Sequence, residues 1–291
     1  MRFFPIIGLA LIGMAAGWTV TRPQPLSPDA LSGLTGDADN GALVFAAAGC
    51  ASCHAAVEGP SDLLSGGRTF ASDFGTFIAP NISSDPVHGV GGWSDLDLAS
   101  AIVTGVGADG AHLYPAFPYA AYAKADLQDI ADLIAYLRTL PASDTPSQPH
   151  DLAFPFNIRA TLGGWKLLYG DQDWVMPADT PELKRGRYLV EALGHCAECH
   201  TPRNALGGLQ TDLWMSGAPN PSGEGRIPNI TPAALDWSAG EIAEYLSSGF
   251  TPEFDMAGGE MAAVIRNISQ LSDDDRAAIA AYVKALPPVA N

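Results

Sequence analysis

The chain's four cysteines fall in two short clusters, Cys50-Ala51-Ser52-Cys53-His54 and Cys196-Ala197-Glu198-Cys199-His200, with none left over. Each cluster is a C-x-x-C-H run. This spacing sets two thiols on one helical turn, where each can add across a vinyl group of a haem, and the adjoining histidine can reach the iron. Two such clusters imply two covalently bound haem c groups, attached through Cys50, Cys53, Cys196 and Cys199 with His54 and His200 as proximal ligands. Other chemistries explain less. A dithiol redox pair wants a βαβ surround, whereas both clusters sit in Ala- and Leu-rich helix followed by Gly/Pro loop. One zinc site would have to join pairs 146 residues apart and would leave both histidines unexplained.

The remaining sequence bounds what carries these clusters. With 291 residues and 47% hydrophobic content the chain can build one large core or two ordinary ones, and disorder is excluded for most of it. Fifteen Lys and Arg against 32 Asp and Glu leave a net charge of −17, which repels nucleic-acid backbones and excludes that partner class. The 31 Gly and 23 Pro imply short helices joined by long loops. After Arg2, the apolar or small residues from Phe3 to Val20 would form a helix roughly 27 Å long, close to a hydrocarbon core. Residues 1–24 are therefore expected to be a signal-anchor or a signal peptide. The anchor is favoured, because the small residues near Gly13 to Ala16 would cut the run before Gly17, Trp18 and Val20. Residues 25–36 make a Pro-rich spacer, and the rest of the chain is expected outside the cytoplasm.

Aligning the second cluster on the first reveals a duplication. Gly41 and Gly186 lie in helices that lead into the clusters; Ala79-Pro80-Asn81-Ile82-Ser83 returns as Ile227-Pro228-Asn229-Ile230-Thr231. Trp93-Ser94, opening a helix that stops at Gly105, returns as Trp237-Ser238 and Gly249. Each half closes on another helix: Leu127, Ile130, Leu133, Ile134 and Leu137 before Pro141, then Ile279, Tyr282, Val283 and Leu286 before Pro287. Asp126 and Ser272 are the expected N-caps.

This order resembles the class I cytochrome c fold over roughly residues 36–141 and 180–288. The resemblance implies an all-α architecture of two tandem cytochrome c-like domains, at 37–141 and 180–291, behind the N-terminal helix. Residues 142–179, with Phe154-Pro155-Phe156 and Trp165 through Tyr169, are too aromatic for a loose linker and are expected to be a packed connector.

The resemblance also bears on the irons' far faces. Met261, in the loop before the last helix, resembles the family's axial methionine; Met256 and Met215 are the alternatives. Met261 stands 24 residues after Trp237, and Phe117 stands 24 residues after Trp93, so the first domain has phenylalanine where methionine is expected. No methionine lies between Met14 and Met176. Three outcomes stay open for the first iron: ligation by His112, ligation by a connector residue such as Met176, or a five-coordinate iron behind Phe117. His112 is the first choice, with a hydrogen bond to backbone or propionate as its other role. Pro60 and Pro202 are expected to offer carbonyls to the proximal histidines, Arg203 to neutralise a propionate, His195 to sit at a haem edge, and His88 and His150 to be solvated.

The run Leu113-Tyr114-Pro115-Ala116-Phe117-Pro118-Tyr119, the connector, and Cys199-His200-Thr201-Pro202-Arg203 look like multi-haem cytochrome subunits of periplasmic, membrane-attached dehydrogenases. That likeness implies an electron relay at the periplasmic face of a bacterial inner membrane. The partners would be a periplasmic dehydrogenase subunit, a respiratory electron acceptor and, through the N-terminal helix, the membrane. The alternative is a dihaem enzyme, a peroxidase or sulfur-compound oxidoreductase, acting at an open first haem.

Overall fold

Local chemistry sets the helix boundaries in both halves of the chain. The computed structural model describes residues 17–221, 223 and 225–290. Helix α1, Ala38–Ala47, starts where the Asp37 carboxylate accepts the Asp39 and Asn40 amides. It leads into α2, Cys50–His54, which is the first cluster. Helix α3, Asp95–Thr104, opens on a capping box between Ser94 and Asp97 and stops at Gly105 in the left-handed conformation. The short α4, Tyr119–Tyr122, and α5, Leu127–Leu137, complete the half. Asp126 occupies the N-cap of α5, but its side chain makes no capping bond.

The connector contributes α6, Leu162–Tyr169. In the second half α7, Pro181–Arg187, runs on into a wide turn at Tyr188–Leu193, and α8, Ala197–His200, carries the second cluster. Helix α9, Ala239–Ser248, repeats the capping box with Ser238 and Glu241 and stops at Gly249. Helix α10, Gly259–Ile268, is followed by α11, Asp273–Ala285, where the Ser272 hydroxyl accepts the Asp275 amide.

The expectation of an all-α fold needs correction. Strand β1, Thr69–Ser72, pairs antiparallel with β2, Gly75–Ile78, with Thr69 opposite Ile78; β3, Asp151–Leu152, adds to β2. A second pair joins β4, Ala218–Pro219, to β5, Arg226–Ile227. The run Thr69-Phe70 and Thr76-Phe77-Ile78 around a glycine-containing turn has the β-branched and aromatic content of a hairpin. Among the described residues no helix is long and apolar enough to cross a membrane. The expected N-terminal helix lies mostly outside the described residues.

First and last helices cross closely in each half, and glycine is what permits it. A Cβ on Gly41 would lie 2.0 Å from the Asp132 carbonyl oxygen, and one on Gly186 would lie 2.1 Å from that of Ala278. In the first half the crossing is also tied by Asp132, whose buried carboxylate accepts from the Asp37 amide at 2.8 Å, Asn40 Nδ2 at 2.7 Å and Gln128 Nε2 at 2.8 Å. Burial alone would raise the Asp132 pKa; these donors outweigh it and hold the carboxyl below its ordinary range. Because the folded value is depressed, the stabilisation is full above the ordinary carboxylate pKa and is lost as pH falls through the folded one. Asp132→Asn is expected to cost about 1–3 kcal/mol at pH 7, with the difference from the parent shrinking in acid-unfolding curves.

The two halves and the connector share contacts. Lys166 Nζ of α6 donates to the Thr104 and Gly105 carbonyls at the end of α3, at 2.6 and 2.8 Å, and Arg159 Nη1 donates to the His112 carbonyl at 2.9 Å. On its other side the connector meets the second half: Trp165 Nε1 donates to the Leu206 carbonyl at 2.9 Å, and Asn204 Nδ2 to the Tyr169 hydroxyl at 3.1 Å. Direct bonds between the halves include Tyr188 Oη to Asp129 at 2.5 Å, the Arg68–Glu260 ion pair at 3.1 Å, and Asn267 Nδ2 to Ser52 Oγ at 2.8 Å.

Candidate haem sites

Each cluster is held by the same set of bonds. After α2 the chain turns at Gly66, whose amide donates to the His54 carbonyl at 2.9 Å; after α8, Gly217 donates to the His200 carbonyl at 2.7 Å. Both glycines have positive φ, +70° and +80°, and a Cβ would strike the Pro80 or Pro228 segment. That turn brings the Pro80 carbonyl 2.9 Å from His54 Nδ1 and the Pro228 carbonyl 2.9 Å from His200 Nδ1. A carbonyl can only accept, so Nδ1 carries the proton in both rings and Nε2 keeps its lone pair for iron. Burial lowers the pKa of both histidines, which keeps that lone pair available near neutral pH.

The carbonyl acceptors expected at Pro60 and Pro202 are thus replaced by Pro80 and Pro228. The signal was present in the repeated Pro-Asn-Ile segment.

Burial keeps the thiols protonated near neutral pH. Burial pushes Cys50 and Cys196 up to about 12 and Cys53 up to about 11, and raises Cys199 as well. Disulfide-exchange and metal-thiolate cysteines need the opposite shift. None of the four is in a disulfide; Cys53 and Cys199 reach the surface while Cys50 and Cys196 are half-buried. Neutral thiols on one turn beside a histidine with a free Nε2 fit a covalently held haem at each cluster.

The two clusters face one another across the junction of the halves. Ser52 Oγ of the first cluster accepts from Asn267 Nδ2 at 2.8 Å, and Arg68, which donates to the Ser52 carbonyl at 2.8 Å, pairs with Glu260 of the second half. His195, next to Cys196, places Nε2 3.3 Å from the carbonyl of Ala48, two residues before Cys50. The Tyr122 ring sits edge-on to His195 at 5.5 Å, and its hydroxyl donates to the same Ala48 carbonyl at 2.9 Å. Arg203 pairs with Glu198 of the second cluster and donates to the Gly207 carbonyl at 2.7 Å.

Around the far-face candidates the halves differ. Met261 is in the first turn of α10, half-buried against the core. Phe117 packs against Tyr122 with ring centroids 5.6 Å apart. Met176 is packed at the connector's end, its amide donating to Glu191 at 3.0 Å. His112 is buried and donates from Nε2 to the Thr21 carbonyl at 2.9 Å, tying the N-terminal segment to the first half. Of the two histidines expected to be solvated, His88 is exposed, whereas His150 accepts the Ile78 amide at 3.1 Å and packs edge-on to Phe77 and Tyr114.

The doubled architecture and the doubled cluster have a counterpart among known sequences: residues 38–141 and 183–287 each match the family described as Cytochrome c. The chain belongs to the cytochrome c family. It carries two covalently bound haem c groups. A "Diheme cytochrome c-type" protein of Cereibacter sphaeroides is 58% identical over 97% of this chain and 97% of its own length. The fructose dehydrogenase cytochrome subunit of Gluconobacter japonicus is 36% identical over the whole of this chain, which spans 61% of that subunit. The cytochrome c subunit of a quinone alcohol dehydrogenase of Gluconacetobacter polyoxogenes is 34% identical over 90% of this chain and 58% of its own length. This dihaem cytochrome c therefore matches about three fifths of those dehydrogenase subunits.

Proposed function

We propose that this dihaem cytochrome c takes electrons from a dehydrogenase partner outside the cytoplasm and passes them to a respiratory acceptor, with its N-terminal segment as a membrane anchor. In this reading Cys50, Cys53, Cys196 and Cys199 hold the haems, His54 and His200 are the proximal ligands, and Met261 is the far-face ligand in the second domain. The observation that carries it is the nearness of the two clusters, with His195 and Tyr122 on the Ala48 carbonyl and Asn267 on Ser52. Tunnelling falls steeply with distance, so such a pair makes a short relay. The bound haems supply the redox chemistry. The chain orients them, keeps the proximal Nε2 unprotonated and links the domains through α5, the Tyr188–Leu193 turn and the connector.

One observation favours a second reading, an enzyme acting on a small ligand at the first iron. The first domain contains no methionine, and its His112 Nε2 is committed to Thr21. Absorption spectra of the oxidised and reduced protein, with and without carbon monoxide or peroxide, decide between them. The relay predicts two low-spin haems that stay unchanged and two reversible redox steps in a potentiometric titration. A ligand-binding haem that turns over peroxide would establish the enzyme instead.

A further inference from the structure

The repeat lets one loop be seen twice, once covered and once bare. In the first domain the Val106–His112 loop is closed by amide-to-carbonyl bonds from Gly107 to Ala111 at 3.0 Å, Gly110 to Gly107 at 2.8 Å and Leu113 to Gly105 at 2.8 Å. In the second domain the Phe250–Met256 loop has the same three bonds, Thr251 to Asp255 at 2.8 Å, Phe254 to Thr251 at 2.9 Å and Ala257 to Gly249 at 2.8 Å. Val106 pairs with His112 as Phe250 pairs with Met256. The backbone is therefore the same. The surroundings are not.

The first loop is roofed by the chain itself. Arg159 and Lys166 of the connector donate to the carbonyls of His112, Thr104 and Gly105, and the Thr21 carbonyl takes His112. Val106 and His112 are left 2% and 4% exposed. Among the described residues nothing equivalent covers the second loop. Phe250, Phe254 and Met256 are 45%, 86% and 75% exposed. A surface meant for water would carry polar groups at these positions; here the exposed copy is the more apolar one, with Phe250, Phe254 and Met256 where the covered copy has Val106, Gly110 and His112. Phe254 also holds φ +66°, the left-handed region that Gly110 occupies at +73° without steric cost. A strained, solvent-facing phenylalanine is difficult to account for by the fold of this chain alone.

We propose that the Phe250–Met256 loop docks a separate redox protein through an apolar segment carrying lysine or arginine. The inference rests on the electron-relay reading and adds the place and the chemistry of the partner's contact. The covered copy shows what such a roof brings: an apolar body and two cations on the loop and helix-end carbonyls. The charge agrees, since Glu253 and Asp255 lie in the second loop and residues 250–256 contain no lysine or arginine. The loop runs directly into α10 and Met261, so docking here brings the partner beside the second domain's haem ligand.

The test uses the holoprotein, reduced and mixed in a stopped-flow instrument with an oxidised basic monohaem cytochrome c whose haem edge is ringed by lysines, and separately with ferricyanide. The parent's rate with the basic cytochrome should fall with added salt. Phe254→Gly restores the residue of the covered copy and removes the strain, so its melting temperature should equal or exceed the parent's. Together with Phe250→Ser it should slow exchange with the basic cytochrome about tenfold, while the ferricyanide rate stays unchanged. Equal rates for parent and variant with the basic cytochrome overturn the docking site. So does an equal slowing with ferricyanide, or loop-dependent binding of the parent to zwitterionic vesicles, which would make the face a lipid contact. A protein that ferricyanide cannot oxidise would instead defeat the relay itself.

Discussion

Cys196→Ser with Cys199→Ser is expected to leave half of the parent's covalent haem on the chain, and Cys50→Ser with Cys53→Ser to leave the other half. Acid–acetone extraction followed by intact mass measurement reads this directly, because thioether-bound porphyrin survives the treatment. The two variants also separate the spectra of the two domains. The second domain has Met261 in the first turn of α10, whereas the first has Phe117 at the matching position and no methionine at all. The weak long-wavelength band of methionine-ligated ferric haem should therefore persist in the Cys50/Cys53 variant and vanish in the Cys196/Cys199 variant. Met261→Ala in the full chain should abolish the same band and raise the carbon monoxide affinity of one haem. A band that survives Met261→Ala would transfer the ligand role to Met215 or Met256 in the second domain, or place Met176 on the first iron. Of these, Met215 is fully buried and Met256 largely exposed.

How far these sites were legible in the sequence depends on the range of the interaction concerned. Covalent chemistry is local: C-x-x-C-H names its own atoms, and two copies of it, with the repeated Trp-Ser openings and Gly closures, define two domains. The capping boxes at Ser94 and Ser238 need only three residues of context, and both form. Partners set by tertiary folding were harder to read. The histidine acceptors lie 26 and 28 residues beyond their rings because Gly66 and Gly217 fold the intervening loop back. The prolines nearer in sequence were the wrong candidates. The hairpin at Thr69–Ile78 was hidden by its shortness within a long loop, and His150 by lying just before the strand that this hairpin recruits. Asp126 shows a further limit: the N-cap position was readable, but its capping bond does not form.

Least legible of all was Glu191, which in an Ala- and Leu-rich helix reads as one more solvated charge. Its side chain is fully buried. It accepts the amides of Val175 at 2.8 Å and Met176 at 3.0 Å and the Tyr282 hydroxyl at 2.7 Å, and it pairs with Lys124 of the first domain at 3.6 Å. Tyr282 in turn accepts from Trp214 Nε1 at 3.0 Å, so one carboxylate joins the connector, both domains and the last helix. Burial, with the negative charge of Glu191 beside it, holds the Tyr282 hydroxyl protonated and able to donate. Deleting the carboxylate strands a buried ammonium, two amides and a hydroxyl together. Glu191→Ala is expected to destabilise the holoprotein by about 3–5 kcal/mol in urea unfolding followed by far-ultraviolet circular dichroism. The domains should then lose stability unequally, the second more, because three of the four stranded donors lie in it or in the connector segment leading to it. Lys124→Met alone removes one ion while leaving the other three donors on the carboxylate. Combined with Glu191→Ala it removes the stranded cation, so the double variant should be more stable than Glu191→Ala alone. That positive coupling is the signature of a shared network. Strictly additive losses, or a Glu191→Ala protein that unfolds with the parent, would reduce the cluster to ordinary packing and leave the fixed facing of the two haem clusters to the connector.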